Sequence, residues 1–519
     1  AGAEAPLKAP AARPPQPLMA PRAQQLPEPD GSLGEQLALG AVRPAELLRS
    51  GAMVPAESLP ALAAALEREA LRGSLVANDL SDTLSSIAEL SQAEVETRPM
   101  QQLLPLLADR LLGRAVDLDA SGVAKTLWAV ARLRQESPIL HSTLPLMVER
   151  TTRTAGAMTA REAALALTAL AALRRELEDV RLQPGPLAHF LAQRFVAGAG
   201  DVDTWLLVDA FWAATVLNLG GDSMQDLVER AVPELGAREE ELDADCVHLL
   251  LWAAATLQDA EHRGHKVAAG AARGLLPLLV RQVPVLAEDM APEGLALVAW
   301  ALGALGCERR QAAELLRGIR VELAVALDSV GISEISWALW GFAALRHLDE
   351  EVMEVAANRT TALMPSSPVR RRADCLPRSV WACAALDYHH RPLLSEVGEC
   401  FSAYGELVRY LSKPSLHALL WSYQWLDRKY EFVDLYDTLL AKVNFWVRVI
   451  PNYVQIDPDT PDQKRYTLMK REAIALGRFG PDSGWQPQKA EGRPRQAVPQ
   501  KRVTEPVNLP GPPRHIFFW

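Results

Sequence analysis

The chain has 519 residues, 49% of them hydrophobic, a net charge of −10 and five cysteines. That apolar content, mostly Ala, Leu and Val with few aromatics, excludes a disordered chain and favours helices over sheets. The cysteines are scattered, odd in number and without a CxxC pair, which excludes a disulfide framework and points to free thiols in a reducing interior.

Residues 1–32 are rich in Ala, Pro and Gln and are expected to form an extended N-terminal arm. Residues 33–75 hold two weakly periodic helices, expected to cap a helical array. From 76 to 448 a signature returns about every 40 residues. Its rungs are Trp128, Trp212, Trp252, Trp300, Trp340, Trp381 and Trp421, with Thr168 standing where a Trp is missing and Ser85 as a degenerate first rung. Five residues after each comes a leucine, from Leu90 and Leu133 to Leu386 and Leu426. Such a period predicts an all-α fold: an α-solenoid of about nine helix-turn-helix repeats. In one repeat the spacing predicts helices over Leu118–Gln135 and Ile139–Arg153, broken at Ser137 and Pro138. After Val449 the rungs stop and closely spaced prolines forbid long helices, so 449–519 is expected to form a Pro-rich C-terminal arm. The longest apolar stretches, Trp205–Leu219 and Leu295–Gly306, are too short or too interrupted to span a bilayer.

The register carries a packing argument. The residues five and one before each rung are apolar, as in Val247 and Leu251 or Leu295 and Ala299. The residue after it is small, as in Ala129, Ala213, Ala253, Ala301, Gly341 and Ala382. Small residues admit a neighbouring helix and the Trp fills the gap beside them, so the Trp column reads as mortar.

The segments LWAVARL (127–133), FWAATVL (211–217), LWAAATL (251–257), AWALGAL (299–305), LWGFAAL (339–345) and VWACAAL (380–386) resemble the core of octotricopeptide-type repeats, the heptatricopeptide variant included. The resemblance covers roughly 76–448. It implies an α-solenoid in a mitochondrion or chloroplast that serves RNA maturation, stability, translation or organellar ribosome structure.

A modular RNA reader presents polar side chains on one face of each repeat. The variable positions seven and three before each rung are the candidates: Ser121/Lys125, Arg161/Leu165, Trp205/Asp209, Asp245/Leu249, Glu293/Leu297, Ser333/Trp337, Asp374/Arg378 and Pro414/Ala418. That row is partly apolar and partly acidic, whereas phosphate binding needs a positive field. The positive charge lies elsewhere: residues 464–519 carry eleven basic and four acidic side chains, leaving the rest of the chain at −17. The candidate RNA contacts are therefore Lys464, Arg465, Lys470, Arg471, Arg493, Arg495, Lys501, Arg502 and Arg514 in the arm. The triplet Arg370, Arg371 and Arg372, expected in a loop after Pro368, joins them. Arg174-Arg175 and Arg309-Arg310 are expected at helix ends, where cations suit the dipole.

No phosphate loop, dinucleotide-binding glycine motif, HExxH or Cys/His set with metal spacing occurs. His248 and His417 share one repeat position, and Ala-Asp-Cys recurs at Cys246 and Cys375, as repeat homology dictates. No enzyme activity, cofactor, metal or small-molecule substrate is expected. The expected function is an architectural subunit of an organellar ribonucleoprotein, the mitochondrial ribosome before the chloroplast. Its acidic repeats would meet protein subunits and its basic arm ribosomal RNA. The alternatives are a trans-acting organellar RNA-binding factor and a scaffold subunit of a membrane-associated complex without RNA.

Overall fold

The computed structural model describes residues 42–423, apart from 50–55, 93–97, 135, 136, 263–272, 404–406, 412–414, 416, 417 and 420, together with residues 33, 36 and 37. Both expected arms, the basic side chains of 464–519 and His417 lie outside these. Among the described residues every regular element is a helix. None is long and apolar enough to cross a membrane. The chain divides between Val330 and Gly331 into two compact units.

In the first unit the rungs sit on helices Ala77–Gln92, Ala120–Leu133, Ala160–Ala172, Thr204–Val216, Ala244–His262 and Pro292–Leu305, each packed against the next. Second helices Leu104–Arg114, Leu144–Thr154, Gly185–Val196, Asp222–Ala237 and Leu276–Leu286 each lie against their own rung helix. In the second unit, rung helices Ile332–Leu345 and Val369–Leu386 pack on one another, with second helices Glu350–Leu363 and Arg391–Ala403. The rungs Trp128, Trp212, Trp252, Trp300, Trp340 and Trp381 are between 1% and 5% exposed, and the small residues that come after Trp128, Trp212, Trp252, Trp300 and Trp381 are buried too. Replacing such a Trp by Ala leaves a cavity costing about 3–5 kcal/mol.

Local chemistry sets where these helices begin. Asp119 accepts from the Gly122 N–H at 2.7 Å, Thr159 and Glu162 form a reciprocal capping box, and Asp243 accepts from the Cys246 N–H at 2.9 Å. The second helix of the Trp128 repeat begins at Leu144, later than Ile139, because Pro145 occupies its first turn and Pro138–Thr143 forms a 3-10 stretch. Helix Val369–Leu386 corrects another expectation. It starts twelve residues before its rung where the other rung helices start eight before theirs, so Arg370, Arg371 and Arg372 occupy a helical first turn, not a loop.

Four rung-helix ends share a closure that the spacing of apolar residues does not reveal. Six residues after the rung, Asn218, Gly306, Arg346 and Asp387 all take positive φ. Each forms a paired closure, as where the His347 N–H donates to the Phe342 carbonyl and the Arg346 N–H to the Ala343 carbonyl. Only Gly306 does so without a Cβ penalty.

Arginines close four hairpins of the first unit. Arg150 donates twice to the Leu118 carbonyl, at 3.0 and 2.6 Å, Arg194 to that of Met158 at 2.7 Å, and Arg238 to that of Gly200 at 2.7 Å. Arg114 donates to the Gly73 carbonyl at 3.0 Å. Every acceptor precedes the start of the rung helix in the donor's own hairpin, so each bond ties the second helix back to the entry of its rung helix. Other arginines link neighbouring hairpins: Arg174 donates to the Val216 carbonyl at 2.6 Å, and Arg134 to that of Ala172.

Two substitutions test these devices. Arg346→Gly should stabilise the fold by about 1 kcal/mol, because the left-handed position then carries no Cβ; an unchanged or lower melting temperature would contradict this. Arg150→Met should cost about 1.5–3 kcal/mol in denaturant unfolding, the value of a charged hydrogen bond to a buried acceptor.

Candidate functional site

Of the two positions that would read RNA in a modular reader, the one seven before the rung is half-buried at Ser121, Arg161, Trp205, Asp245, Ser333 and Asp374 and exposed at Glu293. The one three before it is largely closed. Three residues before each rung, Leu165, Asp209, Leu249, Leu297, Trp337, Arg378 and Ala418 are all buried, and only Asp82 and Lys125 are partly open. The small residue one place beyond each rung explains this, because close helix approach covers whatever shares that seam.

Several polar members of the row pair with neighbours about one repeat away. Lys125 Nζ lies 2.8 Å from Asp82 Oδ1. Asn78 Nδ2 donates to Asp119 Oδ2 at 3.1 Å, and Arg161 pairs with Asp203 at 2.8 Å. These pairs are partly or fully exposed, so each contributes at most about 1 kcal/mol. Arg132 shows the cost of its position: burial lowers its guanidinium to about 10, opposed by the attraction of Asp209.

Arg378 is an enclosed cation on the row. It is 6% exposed, lies 3.8 Å from the centroid of the Trp337 ring and donates to Ser336 Oγ at 3.1 Å. Beside it, burial raises the Asp374 carboxyl, with Arg378 and Arg370 pulling the other way. Cys375 Sγ lies 3.8 Å from Ser333 Oγ. The five cysteines are free thiols and buried, and burial pushes Cys383 up to about 12, so it is unreactive as a nucleophile. His248 is also held down by burial, with Asp245 and Glu293 opposing. The described residues hold no group of three or more His, Cys, Asp or Glu able to bind a metal.

Of the candidate RNA contacts, Arg370 and Arg371 are exposed, while Arg372 is half-buried with Nη1 3.6 Å from Cys400 Sγ. Arg174 and Arg309 open helices, the end where a cation is disfavoured, so dipole complementarity does not explain them; i,i+4 pairs Arg174–Glu178 at 2.9 Å and Arg310–Glu314 at 3.2 Å offset the charge. The acidic charge has a definite place too. Asp117, Asp201, Glu239–Glu241, Glu288 and Asp289 sit in 3-10 turns just ahead of rung helices, at their positive ends. Hydrogen bonds from Arg281 and Gln282 lower Glu239 to about 2. Compared with known proteins, the chain matches no family model and no curated protein.

A double-mutant cycle with Trp337→Leu and Arg378→Met should give a coupling of about 1–2 kcal/mol in unfolding free energy. Additive single effects would mean that the stacked geometry contributes nothing.

Proposed function

We propose that the chain is a non-catalytic architectural subunit of an organellar ribonucleoprotein, the mitochondrial ribosome first. In this reading residues 76–448 form an α-solenoid of about nine hairpins with extended arms on either side, 1–32 and 449–519. The acidic edge of the rung helices meets protein subunits, and the basic arm meets ribosomal RNA. One observation carries the reading: of the two positions per repeat that a base-by-base reader would present, the one three before the rung is buried at Leu165, Asp209, Leu249, Leu297, Trp337, Arg378 and Ala418. Reading RNA there would require breaking Lys125–Asp82 and lifting Arg378 from Trp337. The resemblance of the rung segments to octotricopeptide-type repeats supports the organellar assignment, and the +7 charge of 464–519 supports the arm as the RNA contact. Exposed Arg370 and Arg371 favour a secondary phosphate contact on the body.

Deleting 464–519 should abolish RNA association while the helical circular dichroism of the body persists. In the intact chain, log affinity should fall with log salt by roughly 0.7 per phosphate neutralised on single-stranded RNA. RNA affinity that survives the deletion unchanged would return the reading role to the hairpins. Sedimentation of the native protein with a ribosomal subunit supports the ribosomal reading. Migration in a light RNA-bound fraction instead supports a trans-acting factor, and ribonuclease-insensitive migration with membranes a scaffold without RNA.

A further inference from the structure

Helix Arg391–Ala403 is capped by a histidine. The Leu394 N–H donates to the His390 carbonyl at 3.1 Å, which places His390 at the N-cap, and the Leu393 N–H donates to His390 Nδ1 at 3.2 Å. The residues that usually serve here offer an oxygen, which accepts at any pH near neutrality. An imidazole nitrogen accepts only when it carries no proton. Because a backbone N–H can only donate, the cap fixes the tautomer. Nδ1 is bare, and Nε2 carries the hydrogen and donates to Asn358 Oδ1 at 3.0 Å. One ring thus holds the start of its own helix and ties it to helix Glu350–Leu363.

We propose that His390 is a pH-sensitive cap whose protonation uncaps helix Arg391–Ala403 and releases its tie to helix Glu350–Leu363. A proton on Nδ1 sets donor against donor at the Leu393 N–H, so the ring must turn out and the Asn358 bond goes with it. The new charge also lies at the positive end of a helix, where it is repelled. The groups around the ring are Tyr388, stacked at 6.3 Å, His389 beside it, Glu354 and Asn358 from helix Glu350–Leu363, and Arg391 on its own helix. Burial is the larger influence and holds His390 below the ordinary histidine value of 6.5; Glu354 opposes it and His389 adds to it. A group lowered by folding contributes stability that is complete above its unfolded value and lost as pH falls through its folded one. The cap is therefore set at neutral pH and fails in mild acid.

Hydrogen exchange of the full chain, compared at about pH 7.5 and about pH 5 and corrected for intrinsic rate, tests this. Peptides over residues 391–398 should lose protection roughly fivefold at the lower pH, the effect of losing one N-cap. Helix Ala160–Ala172, which contains no histidine, should keep its protection. His390→Asn supplies a cap that does not titrate, so its peptides should be equally protected at both pH values. His390→Ala should be deprotected at both. Flat protection in the wild type overturns the proposal. So does an acid-induced loss in His390→Asn as large as the wild type's, which would assign the effect to other groups such as His248.

Discussion

The rest of the structure depends on one contact geometry: a large indole set beside a small residue on each rung helix. The small residue lets the next helix come close, and the indole fills the space that a small residue alone would leave empty. The Trp212 and Trp252 indole N–H groups have no hydrogen-bond partner, and neither has the hydroxyl of Thr168, the residue in place of the missing Trp. An unpaired buried donor costs about 1–3 kcal/mol, and full burial of an aromatic side chain offsets a loss of that size. Filling the seam takes precedence over satisfying every polar atom within it.

The same closeness decides what the surface can do. A seam tight enough to bury Leu249, Leu297 and Trp337 closes the position three before the rung to a base, while Lys125 and Arg161 pair with acids about one repeat away. Acidic side chains collect instead at the rung-helix starts, where the peptide dipoles favour them. Exposed arginine is added on the one extra turn ahead of helix Val369–Leu386.

Much of this was legible in the sequence, because apolar periodicity reports directly on which residues leave water. The rung helices, the break at Pro138 and the helix after Gly221 lie where spacing and breakers indicate. Helix ends were less legible. Nothing in Arg346 or Asp387 announces a left-handed position that Gly306 would have signalled, since the closure is imposed by the hairpin and not by the residue. The Arg370–Arg372 turn read as a loop because Pro and three like charges argue against a helix locally. The hairpin arginines escaped notice because their partners are backbone carbonyls, which have no sequence identity. His390 escaped for the opposite reason: histidine is rarely a cap, and only the placement of Leu393 and Asn358 makes it one.

The arginine closures have a consequence for how such a chain can change. Arg114, Arg150, Arg194 and Arg238 each bond back to the entry of their own hairpin. Each of these four hairpins can therefore be copied with its closure intact, since donor and acceptor travel together. The molecule is written in units of its own grammar, and its length is the property easiest to revise.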